Sequence, residues 1–154
     1  MERNRNITKR VLFTKTVQFM QHHLRLQDWR INVQFVENLK ITADCEAHPE
    51  YKLAIIRADS KQLSMLSHYS VVSLAIHEMV HCIVWPLGDW ASDLCVYDSV
   101  KMEMTRKLEE SLVSTFERIL TDLCVNSLQK QLTNEGYKNL NMKFDDIEIN
   151  NIYA

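Results

Sequence analysis

Val71-Val72-Ser73-Leu74-Ala75-Ile76-His77-Glu78-Met79-Val80-His81-Cys82-Ile83-Val84-Trp85 is the stretch around which the rest of the chain is organised. Its apolar residues point in nearly every helical direction, the mark of a helix buried on most sides. Two imidazoles and a carboxylate fall in the middle of it. His77 and His81, four residues apart, lie one above the other on such a helix and can aim at a single ion. Glu78 sits beside that face, placed to hold and deprotonate a zinc-bound water. Burying a polar group without a partner costs about 1–3 kcal/mol, and an unpaired carboxylate more. A metal ion with its water would compensate; a hydrogen-bonded His/Glu cluster without metal is the plainer alternative. Pro86 and Gly88 are expected to stop the helix, which is predicted over 70–84.

The chain has 154 residues, 46% hydrophobic and 25% charged, and fits a single globular domain. Its formal charge of −2 makes no electrostatic case for nucleic acid or an anionic membrane. With only 2 glycines and 2 prolines, long helices with few connections are favoured over a turn-rich β fold. The polar start leads into no signal-like stretch, and no run is read as the roughly 18 apolar residues that span a membrane. Cys45, Cys82, Cys95 and Cys124 stand apart with no C-x-x-C pair. They are expected to be reduced thiols of a cytoplasmic protein. Cys82 points about 100° away from His81 around the helix, which makes it a buried thiol rather than a ligand.

Elsewhere, Phe13, Val17, Met20 and Leu24 predict an amphipathic helix within 8–26, with His22 and His23 on the surface near its end. Trp29-Arg30-Ile31-Asn32-Val33-Gln34-Phe35-Val36 alternates as a half-buried strand, and Leu53 to Asp59 as a more buried one. The polar stretch between them, with Asp44, Glu46, His48 and Pro49, is expected to be a loop. A short helix or turn over 61–68 and an irregular segment over 86–99 flank the central helix. A long helix follows from about Val100 to Leu132, its apolar stripe formed by Leu108, Leu112, Phe116, Ile119, Leu120 and Leu123. The whole is α+β, with a small sheet packed on the central helix and a long C-terminal helix. Residues 1–136 are expected to form the domain, and 137–154 a loosely packed tail.

A catalytic zinc site takes three protein ligands and leaves a fourth position for water. No histidine follows His81, and position 87, where a local Asp could serve, is Leu87. A more distant carboxylate must then complete the site, and Glu109-Glu110 on the long helix offers two. The helical wheel brings Glu109 closer to the apolar stripe and favours it.

With its H-E-x-x-H pentad from His77 to His81, together with Trp29-Arg30-Ile31-Asn32-Val33, Ala54-Ile55-Ile56 and a Glu-bearing helix beyond, the chain resembles small zincins of the gluzincin type, including short phage-encoded H-E-x-x-H proteins. The resemblance covers roughly residues 25–125, and only the pentad and its helix are specific. In the short phage-type proteins, apolar residues follow the ligand Glu at two, six, nine, ten and thirteen positions. From Glu110 these are Leu112, Phe116, Ile119, Leu120 and Leu123; from Glu109 only Ile119 fits. The resemblance therefore implies Glu110, against the wheel, and His77, His81 and Glu110 are taken as the metal ligands. Thermolysin-like members carry an Asp four residues after that Glu to support a histidine; here the place holds Ser114. The pentad followed by Trp85 is also similar to SprT-like proteases, which finish their site with a later histidine absent here.

The resemblance implies a zinc-dependent metallopeptidase, a hydrolase of peptide or protein substrates. A zinc-activated water would attack the carbonyl, with Glu78 as general base passing its proton to the leaving amine. His48, His68, Tyr51, Tyr69 and Tyr97 are unranked candidates to stabilise the oxyanion. Leu53 to Asp59 is expected to border the cleft as a substrate-docking edge. The alternative is a non-catalytic binding or assembly protein on the same scaffold, such as a phage accessory factor. Its zinc, if any, would be structural and closed by Asp89, Asp93 or Cys95.

Overall fold

The computed structural model describes residues 5–94, 99–140 and 142. β1 (Arg5–Asn6) precedes α1 (Lys9–His23), β2 (Arg30–Val36) and β3 (Ala43–His48). After a 3-10 turn (Pro49–Tyr51) come β4 (Leu53–Asp59), α2 (Ser60–Met65), α3 (His68–Leu94), α4 (Ser99–Asn134) and β5 (Tyr137–Lys138). The protein is α+β with a small mixed sheet, ordered β2-β4-β3, in which β2 runs parallel and β3 antiparallel to β4.

α1, α2 and α3 start where side chains satisfy their first amides. Thr8 accepts from Val11 N at 3.3 Å to open α1. Asp59 accepts from Lys61 N and Gln62 N at 3.0 and 2.9 Å, turning β4 directly into α2. The Ser67 hydroxyl accepts from Ser70 N at 3.0 Å at the head of α3. α3 then runs through the interior, in contact with α1, α4 and β3. Val71, Val72, Ala75, Ile76, Met79 and Val80 are all but inaccessible to solvent. His68–Gly88 is long and apolar enough to cross a membrane, unlike the expectation from sequence, yet 72% of its most apolar stretch is buried inside the protein. That burial is what a core helix requires.

Several expectations are corrected. The stretch with Asp44, Glu46 and His48 is a strand rather than a loop. Ala43, Cys45 and Ala47 face inward, while Asp44 and Glu46 meet Arg57 of β4 on the other side, at 2.7 and 3.5 Å. β3 therefore takes the edge, and Leu53–Asp59 is paired on both sides, which removes its substrate-docking role. Pro86 does not end α3, and 86–94 is helical rather than irregular. Proline there removes one amide from the helical ladder. The last turns are nevertheless held against α4, and Gly88 is what lets them close in. A Cβ on Gly88 would meet Glu109 Oε2 at 2.5 Å. Beyond Gly136, β5 pairs with β1, and Leu140 and Met142 are buried, so the expected tail begins by joining the core.

The largest correction concerns α4. Its buried face is Val113, Glu117, Thr121, Val125, Leu128 and Leu132. Leu108, Leu112, Phe116, Ile119 and Leu123, expected to pack, are 44–69% exposed. The more apolar side of the helix points outward because the inward side must carry carboxylates to the histidines of α3.

Candidate metal centre

Near the middle of α3, His77 and His81 project toward α4, their rings 5.1 Å apart at 71°. The side chains are 14% and 12% exposed. One carboxylate on α4 reaches both: Glu110 Oε2 lies 3.7 Å from His77 Nε2, and Glu110 Oε1 3.8 Å from His81 Nε2. One ligand atom from each of His77, His81 and Glu110 can be chosen so that all lie within 4.8 Å of one another. Ligands of a tetrahedral zinc, each at about 2.1 Å, stand roughly 3.4 Å apart, so the two Glu110 contacts would close by a few tenths of an ångström and the widest separation by up to about 1.4 Å. The donor set suits zinc: two imidazoles and a carboxylate, with room for a fourth ligand.

The far nitrogens also face carboxylates. His77 Nδ1 lies 3.0 Å from Glu117 Oε2, and the Ser73 hydroxyl donates to Glu117 Oε1. Glu117 is 4% exposed, so this pair is held within the core. With Nδ1–H donating to Glu117, the lone pair of Nε2 is left facing Glu110. His81 Nδ1 is buried without a hydrogen bond, and Glu109 Oε1 stands 3.5 Å away. Glu110 and Glu109, neighbours in sequence, thus meet opposite sides of the same imidazole. The helical wheel favours Glu109 only if the apolar stripe is the packing face, and that stripe points outward.

The electrostatics differ between the two rings. Burial lowers the affinity of His77 for a proton, but the hydrogen bond to Glu117 and the charges of Glu78, Glu117 and Glu110 outweigh it, and its pKa is raised overall. Burial, with His77 alongside, pushes His81 down to about 4, so that ring is neutral at physiological pH. Glu78 is 3% exposed, and its carboxyl is raised to about 8, first by burial and then by Asp44, Glu110 and Glu117, against a lowering by His77.

These groups line a cleft of about 600 Å³. Ile41, Ala43, Asp44 and Cys45 from β3 and its approach form one wall; Met102, Arg106, Glu109 and Glu110 of α4 form the other. Cys82 is buried, as expected, and its Sγ lies 3.9 Å from that of Cys45 beside Glu78. The Cys82 contact, and then burial, hold the Cys45 thiol far above the usual thiol range. Of the oxyanion candidates, His48 sits beside Glu46, Tyr51 is exposed, and neither they nor His68 and Tyr69 line this cleft. Tyr97 and Cys95 lie outside the described residues, as do the side chains of Asp89 and Asp93.

Sequence reasoning missed Glu117, Ser73, Arg106 and β3. Glu117 had a signal: it is seven residues, two turns, beyond Glu110 and shares its face. Arg106 is one turn before Glu110 and lines the cleft. Comparison with protein-family models, with curated proteins and with solved structures finds no match to this chain.

Proposed function

We propose that this chain is a zinc-dependent peptidase on a zincin-like scaffold, with His77, His81 and Glu110 holding the metal and Glu78 as the proton-transferring group. The observation that carries the reading is the convergence of two Nε2 atoms on one Glu110 carboxylate, each ring having a further carboxylate near its Nδ1. Such outer carboxylates fix the tautomer and orientation of metal-binding histidines. Zinc bound there would supply a Lewis acid for a substrate carbonyl and lower the pKa of a water.

The chain's own residues supply the rest. Glu78 lines the cleft directly beside His77, placed to take a proton from the attacking water and return it to the leaving amine. β3 is paired with β4 on one side only among the described residues, so its other edge offers backbone groups to an extended peptide. That role replaces the one expected for Leu53–Asp59. Arg106, on the facing wall, supplies the cationic side chain for developing negative charge.

The test is zinc content by elemental analysis, followed by incubation of the zinc-loaded protein with a diverse peptide library, in parallel with Glu78→Gln. Cleavage that needs both zinc and Glu78 supports the reading. Stoichiometric zinc without Glu78-dependent cleavage would favour a non-catalytic binding scaffold. No zinc binding would remove the peptidase reading and leave a metal-free scaffold with a hydrogen-bonded His/Glu cluster.

A further inference from the structure

The outward face of α4 is more apolar than the face that packs. Leu108, Leu112, Phe116, Ile119 and Leu123 are each 44–69% exposed. At about 100° per residue they fall within an arc of roughly 80°, forming one stripe some 22 Å long. At its N-terminal end the stripe continues onto α3. Leu87 and Trp90, 61% and 66% exposed, flank Leu108 and Leu112 across a groove of about 250 Å³. With a little over half of ~200 Å² exposed per large side chain, the patch presents on the order of 800 Å² of apolar residues. The largest patch on an ordinary monomer is about 300–600 Å². A standard interface removes about 800 Å² from each partner.

We propose that this chain forms a two-fold symmetric dimer through these outward faces, α4 packing antiparallel against α4 of a second copy. Three observations select a second copy as the occupant. First, the stripe is complementary to itself when reversed. With the two-fold axis between Thr115 and Phe116, Leu108 meets Leu123 of the second copy and Leu112 meets Ile119. Phe116 then comes opposite Thr115, a large side chain against a small one. An isologous contact requires this self-matching. Second, the same alignment gives each exposed Leu123 a seat beside the groove at the other end, where Leu87, Trp90, Leu108 and Leu112 converge. Third, the exposed area matches the share that one copy contributes to a standard interface, with Asp122 beside the stripe and Lys130 beyond its end giving both signs of charge around it. A net charge of −2 with mixed flanks gives no basis for docking on an anionic membrane.

This proposal does not depend on the metal site, and its test reads mass rather than zinc or hydrolysis. Sedimentation equilibrium of the full chain over a wide concentration range should give a species of twice 18.2 kDa. Leu112→Glu and Ile119→Glu should each weaken the dimer by about 30-fold or more, as expected for central apolar anchors, with unchanged far-UV circular dichroism. Thr115→Cys, near the axis, should crosslink to its own copy under mild oxidation. Asn126→Cys, on the same stripe but far from the axis, should not. Crosslinking at both positions would mean a parallel arrangement and overturn the proposal. So would a monomer at every concentration, or a dimer indifferent to both glutamates. A full chain that is monomeric, but dimerises once residues 143–154 are deleted, would assign the face to the chain's own end and equally overturn it.

Discussion

At the residue scale, the centre depends on a division of labour between adjacent carboxylates. Glu110 meets the two Nε2 atoms, while Glu109 stands on the Nδ1 side of His81. Glu110→Ala should therefore abolish stoichiometric zinc binding. Glu109→Ala should weaken it by about 10–100-fold, the usual effect of losing an outer carboxylate. Isothermal titration or competition with a chromophoric chelator separates the two, and equal losses would sink the division. Glu78 makes a different prediction, about the metal-free chain. Its folded pKa is raised from 4.5 to about 8, so the folded state holds a proton that the unfolded state releases. That contribution to stability is complete below about 4.5 and is lost as pH rises through about 8. Metal-free Glu78→Gln should melt with the parent near pH 4.5 and about 10 °C or more above it near pH 9. Parallel melting curves at both values would mean that Glu78 ionises in the fold as it does in water.

At the element scale, Gly88 couples the backbone of α3 to the site. An alanine Cβ there would stand 2.5 Å from Glu109 Oε2, the end of a flexible side chain, so Glu109 would swing away rather than the helices part. Gly88→Ala should gain up to about 1 kcal/mol from helix propensity while losing about tenfold in zinc affinity, like Glu109→Ala. A rise in Tm with unchanged affinity would show that Glu109 does nothing for His81. The same elements show what the sequence made legible. α1, β2, β4 and the interior helix were readable because large apolar residues mark their buried faces at a clear period. β3 was not: its inward positions are Ala43, Cys45 and Ala47, too small to signal burial, and its outward Asp44 and Glu46 suggest a loop until Arg57 is seen beside them. The face of α4 was misread because hydrophobicity reports burial somewhere, not burial in this chain. Its inward side carries Glu110 and Glu117, which the histidines and Ser73 of α3 meet. Pro86 and Gly88 look like a stop in sequence, since local propensity is blind to the partner helix that holds the last turns.

At the scale of the whole molecule, the proposed metal would join two helices that are otherwise unevenly attached. From Ser99 to Leu112, α4 has no buried residue, and its buried face begins at Val113. Glu110 stands just before that boundary, so an ion shared with His77 and His81 would fasten the loosely packed half of α4 to the core helix. Binding that requires the folded arrangement stabilises it by mass action, about 2.7 kcal/mol at a free metal concentration a hundred times Kd. For a chain of this size that amounts to roughly 5–11 °C in Tm. Zinc should raise the melting temperature by that order, a chelator should reverse it, and Glu110→Ala should remove the response while leaving the metal-free melt nearly unchanged. Amide exchange should locate the gain: protection should rise over residues 99–112 and around the pentad, and change little in β2 and β4, whose ladder is complete without the ion. If zinc raises Tm but protection appears evenly across the sheet, or if Glu110→Ala responds like the parent, the ion is not held between α3 and α4. The fastening role would then fall, together with the ligand assignment on which it rests.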